Sequence, residues 1–316
     1  MKEEKPRNPT YAKSSAYEAV LARVNGLLDR KTLPRAAPQL PIVFITGLPR
    51  SGTTLFHQVL AASGSFGYVT NVMARFPAAP AVGADIQALM EPFLTRAPHS
   101  FRSRGGGTRE WFEPHEFGYF WERIFPFAEH HQPSPAQLEH VDTERLAAEL
   151  AGLEASVSRP LLFKNPTLVF VLPFLAQTLP TAHFAEITRD PVDVAASILR
   201  MREEYYGDRR AWFSVRPGTV DALLDEAPVR QVVSQMKVIG AALRSAQTSI
   251  APSRWLRLSH DELCRTPREV VRRVTAFAGA SVDEETLQTL PDAFPVRQSS
   301  IASPLRGEIV QALAGP

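Results

Sequence analysis

Two hydrophobic periods alternate along this chain. Short apolar or β-branched runs at Ile42–Thr46, Ser65–Val69, Pro160–Lys164, His183–Thr188 and Arg254–Leu258 have the length and composition of strands. Between them lie stretches with apolar residues at three- and four-residue steps. These predict helices over Ser14–Arg30 (capped by Ser14 or Ser15), from Thr53 onward, and over Ala81–Leu94, Pro135–Ser156 and Leu168–Leu179. Further helices are predicted from Asp190 or Pro191 to about Arg202, over Pro228–Ile250 and over Pro267–Gly279. Strands alternating with helices predict a three-layer α/β fold, a parallel sheet with helices on both faces. In such sheets ligands sit beyond the carboxyl ends of the strands.

Pro41–Leu55, PIVFITGLPRSGTTL, organises the rest. A buried strand, a glycine-bounded turn from Gly47 to Gly52 and a helix start at Thr53 make an anion cradle. Loop amides and the first helical N–H groups converge there, and the helix dipole favours negative charge. The glycine spacing is that of a phosphate-binding P-loop, but the lysine of that motif is absent and Arg50 is the loop's only cation. A planar guanidinium in place of a point charge suits a phosphate carrying a metal-free leaving group. Arg50, Lys164 and Arg189 each follow a predicted strand, so topology alone brings all three to one edge.

Gly47-Leu48-Pro49-Arg50-Ser51-Gly52-Thr53-Thr54 resembles the 5′-phosphosulfate loop of the sulfotransferases that use 3′-phosphoadenosine 5′-phosphosulfate (PAPS), in the Pro-Arg-Ser-Gly-Thr-Thr branch. Ile187-Thr188-Arg189-Asp190-Pro191 through Ser197 resembles the same family's 3′-phosphate motif. The resemblance spans roughly residues 41–295. It implies a P-loop-like α/β sulfotransferase fold and sulfuryl transfer from PAPS to an acceptor hydroxyl, without a metal. It further implies that Gly47, Arg50, Ser51, Gly52, Thr53 and Thr54 hold the 5′-phosphosulfate, that Arg189 and Ser197 clamp the 3′-phosphate, and that Lys164 stabilises the transferring sulfonate. Two positions depart from the family. Pro166 stands where the steroid and phenol branch has a histidine, and Asn71 where the tyrosylprotein branch has a glutamate base. The nearest substitutes are Glu113, His115 and Glu116, in Glu-Pro-His-Glu. Two other readings compete: a nucleotide or sugar kinase with a degenerate P-loop, and a non-catalytic nucleotide-binding protein.

Residues 95–113, with three consecutive glycines flanked by Arg102, Arg104 and Arg109, read as a mobile basic loop, either an acceptor lid or a solvated surface segment. Residues 203–227 read as a second lid, and Asn71–Phe76 as lining the cleft. The aromatic Glu116–Phe127 reads mainly as core, His57 as a packed core histidine, and His130 with His131 as loop surface. Residues 1–40 are expected to form an N-terminal helical extension and 41–316 a single sulfotransferase domain carrying both lids.

With 44% hydrophobic and 22% charged residues, the composition is that of an ordinary globular chain. A net charge of +2 gives no argument for nucleic acid or a membrane surface. Cys264 is the single cysteine, which excludes an intrachain disulfide framework. No run approaches the roughly 20 apolar residues needed to span a bilayer, and the expectation is a cytoplasmic bacterial enzyme. The acceptor and the oligomeric state are not legible.

Overall fold

The computed structural model describes residues 7, 14–29, 36–94, 99–103, 106–296 and 303–315. Its centre is a five-stranded, fully parallel sheet of β1 (Ile42–Thr46), β2 (Gly67–Tyr68), β3 (Leu161–Lys164), β4 (Ala182–Thr188) and β5 (Trp255–Ser259). The spatial order is β2-β3-β1-β4-β5, so the strand leading into the glycine loop lies in the middle. Its register sets Ile45 beside Lys164 on one side and Thr46 beside Glu186 on the other.

All five residues of β1 are buried. Ile42 and Phe44 face one core, where Phe44 packs against Trp121, Phe163 and Phe184 at ring-centroid distances of 5.7–5.9 Å. Val43 and Ile45 face the opposite core, with Phe56, Leu60, Leu162 and Val271. A strand buried on both faces needs a continuous apolar run rather than alternation, and β1 has one.

The helices, in chain order, begin with α1 (Ser15–Leu28), α2 (Thr53–Ala62), α3 (Pro80–Met90) and α4 (Gly118–Ile124). Then come α5 (Pro135–Leu138), α6 (Thr143–Val157), α7 (Leu172–Thr178), α8 (Pro191–Tyr206) and α9 (Val220–Leu223). The chain closes with α10 (Pro228–Ser249), α11 (His260–Arg265), α12 (Pro267–Ala278), α13 (Glu284–Gln288) and α14 (Ser303–Ala314). Of the boundaries that differ from the sequence reading, two have a clear local cause. The helix expected over Pro135–Ser156 is two, because Ser134 closes a capping box on α5 and Asp142 accepts the Arg145 N–H to restart the chain as α6. The 3′-motif helix, expected to end near Arg202, runs on to Tyr206 and stops at Gly207 in the left-handed region.

Asn25 of α1 donates to the Arg75 carbonyl and accepts the Ala78 N–H, which docks α1 onto the turn before α3. Among the described residues no helix is long and apolar enough to cross a membrane.

Candidate active site

The glycine loop is tightly packed where β1 meets α2. Gly47 (φ 147°) and Gly52 (φ 105°) both adopt backbone that favours glycine. A Cβ at Gly47 would lie 2.5 Å from the Ile187 carbonyl oxygen, and one at Gly52 would lie 2.4 Å from the His260 ring. Arg50 is also left-handed, at φ 70°. The Arg50 side chain runs to α8, where Nε donates to Ser197 Oγ at 3.1 Å across 147 residues of sequence. Arg189, directly after β4, donates from Nη1 to the Arg50 carbonyl at 3.4 Å and lies 3.8 Å from Asp193. Asp190 caps α8 by accepting the N–H groups of Val192 and Asp193.

Burial, then the neighbouring Arg200 and Arg189 charges, lower the pKa of the Arg50 guanidinium, with Glu204 and Tyr205 opposing. Ser51 Oγ is buried and has no hydrogen-bond partner among the described residues. Crowded, desolvated cations beside an unsatisfied hydroxyl and a helix N-terminus are stabilised by an incoming anion.

These groups face a cleft of about 610 Å³. Arg50, Gly52, Thr53, Thr54 and Arg189 line it, with Gly47, Ser51 and Ser197 set behind that surface. On the other side of β1, Lys164 ends β3, is only 4% exposed and forms an ion pair with Glu116, which also lines the cleft. Backbone pairing delivers Glu116. The His115 N–H donates to the Val69 carbonyl, the Asn71 N–H to the Glu113 carbonyl and the Val72 N–H to the Trp111 carbonyl, so residues 111–115 run beside the chain leaving β2. Asn165 Nδ2 then donates to the Glu116 carbonyl at 3.2 Å.

The three sequence candidates for a base therefore separate. Glu113 is 3% exposed and turned into the protein. Burial alone would raise its pKa, but the His99 ring 3.7 Å away and hydrogen bonds from the Ser100 N–H and Gln58 hold it below the ordinary carboxylate range. His115 Nδ1 accepts the Phe117 N–H at 2.8 Å, and the residue is not among those lining the cleft. Glu116 alone of the three faces it.

The surroundings were read less well from sequence. None of residues 71–76 lines the cleft. Asn71 is buried, and its Nδ2 donates to Thr108 Oγ1 and the Glu110 carbonyl, holding the segment that carries Glu116. His131, expected at the surface, lines the cleft. Its N–H donates to the Arg216 carbonyl, and its Nδ1 accepts the Arg216 N–H at 2.8 Å. Burial, with Arg216 and His130 assisting, lowers its pKa to about 4. His57 is core as expected, its pKa pushed down to about 3 by burial and then by Lys164.

His260 was missed altogether. It opens α11 after β5, packs on Gly52, and is held below the ordinary histidine range by burial and by Arg189. The second predicted lid lines the cleft through Tyr205, Tyr206, Trp212, Phe213, Ser214 and Arg216. The first lines it through Ser103 and Gly106, with Arg102 and Arg109 exposed and Arg104 outside the described residues.

Among curated relatives, the omega-hydroxy-beta-dihydromenaquinone-9 sulfotransferases Stf3 of Mycobacterium tuberculosis (strain CDC 1551 / Oshkosh) and Mycobacterium bovis are each 24% identical over 261 residues. The match takes in 76% of this chain but only 63% of those relatives' length. Among solved structures, sulfotransferase STF1 from Mycobacterium tuberculosis H37Rv superposes with a TM-score of 0.55 at 16% identity, over 96% of this chain and 86% of that one. Sulfotransferase STF9 from Mycobacterium avium gives 0.50 at 16%, over 94% and 72%. These two carry the fold. The profile of the sulfotransferase family spans residues 41–284, from the start of β1 into α13, and so takes in the glycine loop, Lys164 and the Arg189–Ser197 segment together. A match that continuous, over most of the chain, settles the kinship: this protein belongs to the sulfotransferase family.

Proposed function

We propose that this chain transfers a sulfuryl group from PAPS to an acceptor hydroxyl and releases 3′-phosphoadenosine 5′-phosphate (PAP). The observation that carries the reading is the contact of Arg50 Nε with Ser197 Oγ at 3.1 Å, beside the contact of Arg189 with the Arg50 carbonyl. Two motifs distant in sequence thus meet in one cationic surface, which supports a ligand carrying more than one phosphate. Family membership favours this reading over the kinase and the non-catalytic alternatives.

Bound PAPS supplies an activated sulfuryl group on a phosphate leaving group. Arg50, with the N–H groups at the start of α2 and the hydroxyls of Ser51, Thr53 and Thr54, holds the 5′-phosphate and takes up charge as that phosphate departs. Arg189 and Ser197 hold the 3′-phosphate, which selects PAP and PAPS over ATP because ATP leaves those partners unsatisfied. Lys164 neutralises sulfonate oxygens. Glu116, paired with Lys164 at the cleft surface, accepts the proton of the acceptor hydroxyl as its oxygen bonds to sulfur.

Isothermal titration tests the donor site. PAP binds at least 100-fold more tightly than ATP, with or without Mg²⁺; equal or stronger ATP binding would end the reading.

A further inference from the structure

Beneath the second lid lies a buried arginine that sulfuryl transfer does not use. Arg202 is fully buried near the end of α8, the helix that also carries Ser197. Among the described residues its hydrogen bonds go to neutral oxygens. Nη1 donates to the Arg209 carbonyl at 3.2 Å and to Gln231 Oε1 at 2.6 Å, and Nη2 donates to Gln235 Oε1 at 3.5 Å. The guanidinium carbon sits 5.1 Å from the centre of the Trp212 ring, within cation–π range.

A guanidinium has donors and no acceptor. Each glutamine must therefore turn its oxygen toward Arg202, which forces its amide nitrogen the other way. Both nitrogens meet carbonyls of the second lid. Gln235 Nε2 donates to the Phe213 carbonyl at 3.0 Å and the Val215 carbonyl at 2.6 Å, and Gln231 Nε2 donates to the Leu224 carbonyl at 2.9 Å. Trp212 Nε1 also donates to the Val215 carbonyl, closing a turn in which Ser214 is held at φ 69°. Trp212, Phe213 and Ser214 line the cleft. A loop carrying a left-handed serine is kept in that shape only if its surroundings over-determine it.

We infer that Arg202 is a positioning residue for the acceptor: by fixing the amide orientation of Gln231 and Gln235, it locks the Trp212–Phe213 wall of the cleft. The wall is aromatic, with Tyr205 packed edge-on to Phe213 at 5.3 Å, so the acceptor class it fits carries an apolar or aromatic body beside its hydroxyl. This rests on the sulfotransferase reading for the identity of the ligand but not for the lock itself.

Two variants isolate the lock. Arg202→Met keeps the volume and removes the donors. Gln235→Glu keeps the partner of Arg202 but cannot donate to the Phe213 and Val215 carbonyls. By hydrogen-exchange mass spectrometry, amides of residues 209–216 exchange at least tenfold faster in both variants, while β1 and α2 stay within twofold of wild type. PAP affinity stays within twofold in both. With 2-naphthol as the probe acceptor, KM rises at least fivefold and kcat changes less than twofold. Unchanged lid exchange in both variants, or acceleration spread evenly through the sheet, would overturn the inference. So would acceleration in Arg202→Met without any in Gln235→Glu. Failure of the wild-type protein to bind PAP would remove the functional reading and leave the lid result standing.

Discussion

The two walls of the cleft are built on different principles. The wall proposed to face the nucleotide consists of strand ends and helix starts: Arg50 after β1, Arg189 after β4, Ser197 on α8. Short sequence spacing sets its geometry, and the sheet supplies the rest. The wall proposed to face the acceptor consists of loops tied by contacts that sequence separation hides, such as His131 to Arg216 and Gln235 to Phe213 and Val215. Rigid elements hold charge in register for a fixed ligand, whereas tethered loops leave the other face free to differ in shape without disturbing the first.

The largest expected effect bears on the nucleotide wall. Arg50→Ala and Arg189→Ala each weaken PAP binding about 100-fold by isothermal titration, since charge-assisted hydrogen bonds contribute about 1.5–3 kcal/mol each. Affinities within twofold of wild type would dissolve the distinction between the walls.

Turnover separates from binding on the far side of β1. Lys164→Ala and Glu116→Gln lower kcat about 100-fold or more, the scale of a lost proton acceptor or charge stabiliser, while PAP affinity holds within threefold. A kcat that survives Glu116→Gln would return the base to another group.

Gly52→Ala tests the loop backbone itself. A β-carbon at φ 105°, against the His260 ring, costs about 1–3 kcal/mol. PAP affinity falls about tenfold and the melting temperature drops with it; a variant as stable and as tight-binding as wild type would contradict the packing.

The smallest effect is a pH dependence that both regions share. His57 is buried and His131 half-buried, and desolvation lowers their pKa values to about 3 and about 4, from 6.5. Between those values and 6.5 the unfolded chain binds more protons than the folded one. Their contribution is complete above about 6.5 and is lost as pH falls toward about 4 for His131 and about 3 for His57. The melting temperature therefore declines on acidification below 6.5, and His131→Gln flattens that decline. An identical slope in the variant would show that His131 is not a contributor.

Legibility from sequence followed the same divide. The run Ile42–Thr54 was readable because strand, left-handed glycine turn and helix start are local events with strong residue preferences. The family's paired motifs added Arg189 and Ser197. Lys164 was placed by its position after an apolar run, and it stands at the end of β3. What escaped was non-local. His131 looked like surface because its partner is a backbone amide 85 residues away. His260 sits at a strand-to-helix junction and carries no motif, although the capping signature Ser259-x-x-Glu262 around it was available. The helix predicted over Pro135–Ser156 breaks because the Ser134 and Asp142 caps override a continuous apolar periodicity.

The sheet order gives the cleft a built-in ruler. With β1 between β3 and β4, Lys164 ends one strand and Arg189 follows another two spacings away, about 10 Å at the usual 4.8 Å per strand. Main-chain pairing sets that span between the two backbone positions, and the Lys164 and Arg189 side chains reach into the cleft from those fixed points. On the proposed reading, a ligand that engages both Lys164 and Arg189 has to bridge that span.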